Sequence, residues 1–192
     1  MTQKHIITIA GKLGSGKSST AKMVAGILGY EHYSTGDFMR SIADEKGIQL
    51  SELSKLAEVD PSIDKMLDDR NLEVGAMENV VLDSRLGFHF IPDSFKVFLE
   101  LDPVVASERI LHDKNFNPNR NKETEGSFDT PESIREKINF RLESERKRYK
   151  ELYQIENHTG HENFDLIINT EKIPLEGVSQ KIIEEYNKWL IK

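Results

Sequence analysis

Gly11-Lys12-Leu13-Gly14-Ser15-Gly16-Lys17-Ser18 satisfies the pattern G-x-x-x-x-G-K-[ST] at every fixed position, the signature of a loop that wraps around nucleotide phosphates. At ordinary residue frequencies a chance match in a chain this long arises on the order of once in a hundred chains. The flanks agree with it. His5-Ile6-Ile7-Thr8-Ile9-Ala10 reads as a buried parallel strand. The segment from Ser18 to Leu28 reads as a helix, with Ala21, Val24, Ala25 and Leu28 on one face. Strand, glycine loop and helix is the order such a loop requires.

The residue types explain the chemistry. Glycines let the backbone turn tightly and aim its N–H groups inward. Those groups form an anion nest, and the following helix points its positive end at the same place. Lys17 supplies a mobile cation for the β- and γ-phosphates of ATP, and the Ser18 hydroxyl suits Mg2+.

Working outward, Tyr30–Ser34, Val80–Asp83, Phe95–Leu101 and Phe164–Thr170 read as four more short strands. Helices are expected from Thr35 to about Gly47, from Ile48 to Glu58, from Ser62 to Met77, after Asp102-Pro103, from Glu132 to Glu156, and from Pro174 to Leu190. This alternation predicts an α/β chain of the P-loop NTPase type: a five-stranded parallel sheet flanked by helices, with helical acceptor-binding and lid segments. One domain is expected. Its core is placed at about 1–34, 78–112 and 160–192, its acceptor-binding helices at about 35–77 and its lid at about 113–156. The stretch from Asp113 to Pro131 is poor in apolar residues and reads as a mobile loop.

Composition narrows the function classes. The 192 residues carry a net charge of −7, which argues against broad nucleic-acid binding. There is no cysteine, which excludes disulfides, thiolate metal sites and cysteine nucleophiles. The apolar N-terminal run is short for a signal peptide, and no segment has the length of a membrane span. The expectation is a cytoplasmic protein with small-molecule nucleotide partners, without nucleic-acid or membrane partners, and a monomer with a dimer left open. His158 and His161 read as loop residues, because zinc needs three or four converging ligands.

A phosphoryl-transfer site needs further cations, and arginine grips two phosphate oxygens at once. Arg85 stands just past the carboxyl end of the strand closing at Asp83, where ligands of open α/β sheets sit. Asp83 suits the Mg2+ waters, with a helix cap or a pair to Arg85 as the alternative. Arg40 has Asp37 three residues before it, and Arg70 follows Asp68-Asp69, so both have surface ion pairs as alternatives. Arg141 and Arg148 share a helix face with Glu145 between them, either as a salt-bridged solvent face or as part of a closing lid.

With these residues in view, the chain resembles the nucleoside monophosphate kinases, and most of all the short, archaeal-type cytidylate kinases. The resemblance rests on Ile7–Gly11 with Gly14–Ser19, Ser34-Thr35-Gly36-Asp37-Phe38-Met39-Arg40, Asp64 with Asp69-Arg70, and Arg85-Leu86. It continues through Arg141 with Glu143-Ser144-Glu145, Arg148–Tyr153, and Asp165–Thr170. That family transfers the γ-phosphoryl group of ATP to CMP or dCMP with Mg2+. The resemblance implies ATP binding by Gly11, Lys12, Leu13, Gly14, Ser15, Gly16, Lys17, Ser18 and Ser19, with Asn169 and Thr170 near the adenine. It implies acceptor binding by Ser34, Thr35, Gly36, Asp37, Arg40, Arg70 and Arg85, catalytic roles for Lys17, Arg85, Arg141 and Arg148, and a metal role for Ser18 and Asp83. The chain departs from the family at His112-Asp113-Lys114, where a lid arginine is usual, and at Asp83-Ser84, where Glu-Gly is usual. Arg120 and Arg135 are the candidate replacements for that arginine. Another small-molecule kinase, acting on AMP, dephospho-coenzyme A or a sugar acid, is the nearest alternative, and a nucleotide-dependent switch the next. The nearest approach to a guanine-reading motif, Asn121-Lys122-Glu123-Thr124, lacks its aspartate.

Overall fold

Strand β1 (Ile6–Gly11) is buried at every residue, as a central strand with both faces covered must be. The computed structural model describes residues 5–116 and 130–191. Around β1 lie β2 (Glu31–Ser34), β3 (Val80–Asp83), β4 (Phe95–Glu100) and β5 (Leu166–Asn169), in the spatial order β2-β3-β1-β4-β5. Every pairing is parallel, with Ile7 opposite both Val81 and Phe95. The five-stranded parallel sheet expected of the sequence is therefore present, with strand limits within two residues of the expected ones.

Alternation along β1 assigns its faces. Ile7 and Ile9 pack with Ala21, Val24 and Ala25 of α1 (Lys17–Leu28) and Val178, Ile182 and Tyr186 of α8 (Leu175–Trp189). Ile6 points the other way, toward Val74 of α4 (Pro61–Gly75) and Ile91, just past α5 (Gly87–Phe90). A third cluster joins α2 (Thr35–Lys46), α3 (Leu50–Leu56) and α4 through Ile42, Leu53 and Ile63. Thus residues 35–75 build a small helical core of their own beside the sheet.

Local chemistry sets the helix limits. Ser34 caps α2 through its hydroxyl, and Gly47 closes it at φ 67°. Asp60 caps α4 with Pro61 in the first turn, the break read from Asp60-Pro61. Helix α6 (Pro103–Phe116) follows Asp102, and α7 (Pro131–Tyr153) is capped by Thr130. The α7 helix stops earlier than Glu156, because Gln154 takes a left-handed φ of 60° and returns its N–H to Lys150 and Tyr149. The helix expected over Ile48–Glu58 is trimmed to α3. The short α5 and a 3-10 turn at His161–Asn163 were not anticipated, since neither is long enough to carry a helical period. No helix among the described residues is long and apolar enough to cross a membrane.

Candidate active site

The loop between β1 and α1 is built for an anion. Gly14 and Gly16 take φ of 77° and 82°, a region that favours glycine. At Gly11 the obstacle is space: a Cβ would lie 2.8 Å from the Leu99 carbonyl oxygen. The loop opens onto the start of α1, whose first N–H groups have no intrahelical partner. Ser15 is buried, and its Oγ makes no hydrogen bond. An orphaned hydroxyl beside a nest of this kind fits an oxyanion such as a nucleotide phosphate.

Lys17 and Ser18 follow directly. The Lys17 ammonium ion-pairs with Asp83, at the carboxyl end of β3, and Ser18 Oγ donates to the other oxygen of the same carboxylate. Asp83 is 1% exposed, and Arg85 pairs elsewhere. Burial pushes the Lys17 ammonium down to about 7; the Arg85 and Arg141 guanidiniums push the same way, and Glu145 opposes them. The Asp83 carboxylate in contact with it also favours the charged form. A phosphate anion would do the same, so this lysine is poised to hold one. A hydroxyl and a carboxylate in contact are the hard oxygen donors that Mg2+ takes. The donor set fits the ion expected at Ser18 and Asp83.

The long helix α7 brings the second set of charges. Glu145, 7% exposed, faces Arg141 Nε at 2.9 Å and Arg85 Nε at 3.1 Å. Burial would raise the Glu145 carboxyl, but the two guanidiniums outweigh it and hold it low. Arg141 is pushed down chiefly by Arg85 and then by burial. For Arg85, burial pulls down while Glu145 and Tyr149 more than offset it. One turn further on, Arg148 Nε stands 3.2 Å from Asp64 of α4. Glu145 is therefore turned to the core and Arg148 lies partly buried beside it, while Arg141 pairs with Glu145 from the surface with 56% of its side chain exposed.

Two cavities flank this charge cluster. One, of about 130 Å3, lies between Gly11–Leu13, Phe98 of β4 and Ile138–Leu142 of α7. The second lies between Thr35, α4, Ser84 and the Arg148–Tyr153 turn of α7. Arg85 lines both. It therefore joins the space beside the glycine loop to the space beside α4.

Other expected residues lie apart from this junction. Arg40 ion-pairs with Asp37 at the surface. Arg70 lies between Glu73 at 3.6 Å and Glu45 at 3.9 Å, half exposed. Both therefore make surface ion pairs, Arg40 with the Asp37 noted from its spacing and Arg70 with Glu73 and Glu45 in place of the neighbouring Asp68-Asp69. Ser34 spends its hydroxyl on the Gly36 N–H, and Thr35 lines the second cavity. Lys12 stands 3.5 Å from Glu100, and Ser19 is exposed on the first turn of α1. Thr170 is buried, and Asn169 caps the turn after β5 by accepting from Glu171. Arg135 pairs with Glu132 at the start of α7. Arg120 and the loop around it lie outside the described residues.

Sequence reasoning missed three contributors. Arg109 of α6 donates to the Thr170 and Glu171 carbonyls at 2.8 and 2.9 Å, tying α6 to the turn after β5. Asp68 of α4 lines the second cavity with Tyr153. His158, read as a loop residue, is 3% exposed, with Nε2 3.8 Å from Glu145 and its ring edge-on to Tyr149. Nothing in the local sequence marks these three, because each acts across the fold. No group of three His, Cys, Asp or Glu side chains placed to hold a metal ion occurs among the described residues.

Comparison with known proteins identifies the family. The model of the cytidylate kinase-like family matches residues 6–172. This chain belongs to that family. It is 36% identical over 182 residues to a cytidylate kinase of Archaeoglobus fulgidus, covering 93% of this chain and 92% of that protein. It is 34% identical over 182 residues to a cytidylate kinase of Halobacterium salinarum, covering 93% and 88%. It is also 33% identical over 187 residues to an S-adenosylmethionine-dependent nucleotide dehydratase of Lacinutrix mariniflava; the match spans 96% of this chain but only 36% of that protein. Among solved structures, a shikimate kinase of Bacteroides thetaiotaomicron superposes with a TM-score of 0.64 at 18% identity, covering 95% of this chain and 98% of that one. The fold of this family member is thus that of the P-loop kinases, and its family supports a phosphotransferase that uses ATP, typically with Mg2+.

Proposed function

We propose that the chain transfers the γ-phosphoryl group of ATP to a nucleoside monophosphate, with CMP or dCMP the favoured acceptor. One observation carries this reading: Arg85 lines both cavities and is held by Glu145 together with Arg141, and all three groups act electrostatically on the lysine of the glycine loop. A nucleotide switch needs only the glycine loop. A kinase needs two anion sites sharing a cationic junction, and cytidylate kinase relatives matched over nine-tenths of the chain favour a nucleotide acceptor.

In the proposed reaction an oxygen of the acceptor phosphate attacks the γ-phosphorus in line, and the bond to the β-bridging oxygen breaks to leave ADP. The acceptor oxygen is already anionic, so no strong general base is required. Lys17 and the loop N–H groups hold the β- and γ-phosphates. Arg85 and Arg141 neutralise charge on the transferred group and the acceptor phosphate. Bound Mg2+, held through Ser18 and Asp83, would supply further charge neutralisation on the phosphates. Residues 35–77 hold the acceptor in this reading, and α7 is the described part of the lid that excludes water.

The test is coupled ADP release with ATP and a panel of CMP, dCMP, UMP, AMP, dephospho-coenzyme A and shikimate. The expected result is turnover highest with CMP or dCMP, and its loss in Lys17→Ala by a factor of about 1,000 or more. Turnover only with a non-nucleotide acceptor, or ATP binding without acceptor-stimulated release, defeats the proposal.

A further inference from the structure

The second cavity is electrically divided. Its inner end carries Arg85, which with Arg141 depresses Lys17. Its outer end carries Asp64 and Asp68, four residues apart on one face of α4. A phosphate belongs at the guanidinium end. Arg148, 3.2 Å from Asp64, offsets one of these charges and Asp68 keeps the other, so an uncharged group that donates hydrogen bonds suits the place beside Asp68.

The outer end is also built and underused. Asp64 is 5% exposed, and its Oδ2 has no hydrogen-bond partner although Arg148 stands 3.2 Å away; Arg148 Nε likewise makes no aligned hydrogen bond. Asp68 is steadied by the Tyr153 hydroxyl, which lies 2.9 Å from each of its carboxylate oxygens. Phe90 and Tyr149 pack against Tyr153 at 5.6 and 6.1 Å between ring centroids, so aromatic surface lies beside the carboxylates. Aromatic walls with a fixed acceptor at their edge suit a flat heterocycle.

We propose that Asp68, oriented by Tyr153 and backed by Asp64, reads the acceptor base through an exocyclic amino group and so selects cytosine over uracil. This rests on the reading of the chain as a nucleoside monophosphate kinase. Cytosine offers an amino donor where uracil offers a carbonyl. At that position a carboxylate oxygen accepts from the amino group and is repelled by the carbonyl, where two acceptors stand face to face. Tyr153 is a positioning residue here, and Asp68 is the specificity-determining one.

The experiment compares kcat/KM for CMP, dCMP and UMP in the wild type, Asp68→Asn and Tyr153→Phe, with thermal unfolding and the KM for ATP alongside. The amide can donate to the uracil carbonyl as well as accept from its ring N–H. Asp68→Asn is therefore expected to lower the CMP-to-UMP ratio by about 10-fold to 100-fold, at unchanged ATP KM. Tyr153→Phe is expected to lower the same ratio less. A ratio that stays put while CMP and UMP fall together overturns the proposal, as does a change confined to the CMP-to-dCMP ratio, which would place the carboxylates on the ribose. If the wild type turns over no nucleoside monophosphate, the kinase reading fails and takes this with it. If the wild type phosphorylates CMP and only the ratio refuses to move, this inference alone fails.

Discussion

His158 shows what a single side chain contributes that its neighbours in sequence do not announce. Its imidazole is buried against Tyr149 and beside Glu145. Burial pushes it down to about 4, with Glu145 opposing and Arg85 and Arg146 reinforcing. The sign follows. The unfolded chain binds a proton at this histidine below its ordinary value of 6.5, while the folded chain does not until about 4. Stability contributed here is complete above pH 6.5 and is lost as pH falls toward 4. Replacing His158 with Gln should flatten that loss by about 2 kcal/mol between pH 7 and pH 4.5, read from urea unfolding at the two pH values. An unchanged acid slope would show that the imidazole titrates normally. Glu145 belongs to the same scale. It is marked in the sequence by its spacing from Arg141 and Arg148, yet its second partner proves to be Arg85 rather than Arg148, because Arg148 turns to Asp64.

Elements follow period and punctuation. The glycine loop, the caps at Ser34 and Asp60 and the closing Gly47 were legible, because each is a short-range rule acting within a few residues. The brief α5 was not, since four residues cannot display a helical period. Nor was the early end of α7 at Gln154, a residue without glycine's freedom. The loop offers the sharpest test at this scale. Gly14 lies at φ 77°, and an added Cβ would come within 3.1 Å of the Ala106 carbonyl oxygen of α6. Gly14→Ala should cost about 1–3 kcal/mol from backbone strain and weaken ATP binding at least 10-fold, the first measured by thermal unfolding and the second by calorimetry. Wild-type ATP affinity in that variant would mean the loop adopts another conformation when loaded.

At the scale of the whole molecule, the site exists only where four distant segments meet: the loop after β1, the end of β3, the helices at 35–75 and α7. A ligand that binds this assembled state and not the unfolded chain must stabilise it. ATP with Mg2+ at a hundred times its dissociation constant should add about 2.7 kcal/mol to the unfolding free energy, a rise absent in Lys17→Ala. Differential scanning calorimetry at graded ATP settles this, and equal shifts in both proteins would place the nucleotide away from the loop.

By itself the sequence determined the parallel α/β order and the phosphate loop, and through its motifs the family. These depend on hydrophobic period, turn chemistry and fixed spacing, all of which are local. Tertiary structure alone decided which charges face one another. It paired Asp83 with Lys17 and Ser18, gave Arg85 to Glu145, kept Arg40 and Arg70 at the surface, and set Asp68 against Tyr153. The physical reason is range. A polar contact or a cavity wall joins residues far apart in the chain, Asp68 and Tyr153 standing 85 positions apart, and no periodicity in the chain encodes which of many acids and arginines folding will bring together.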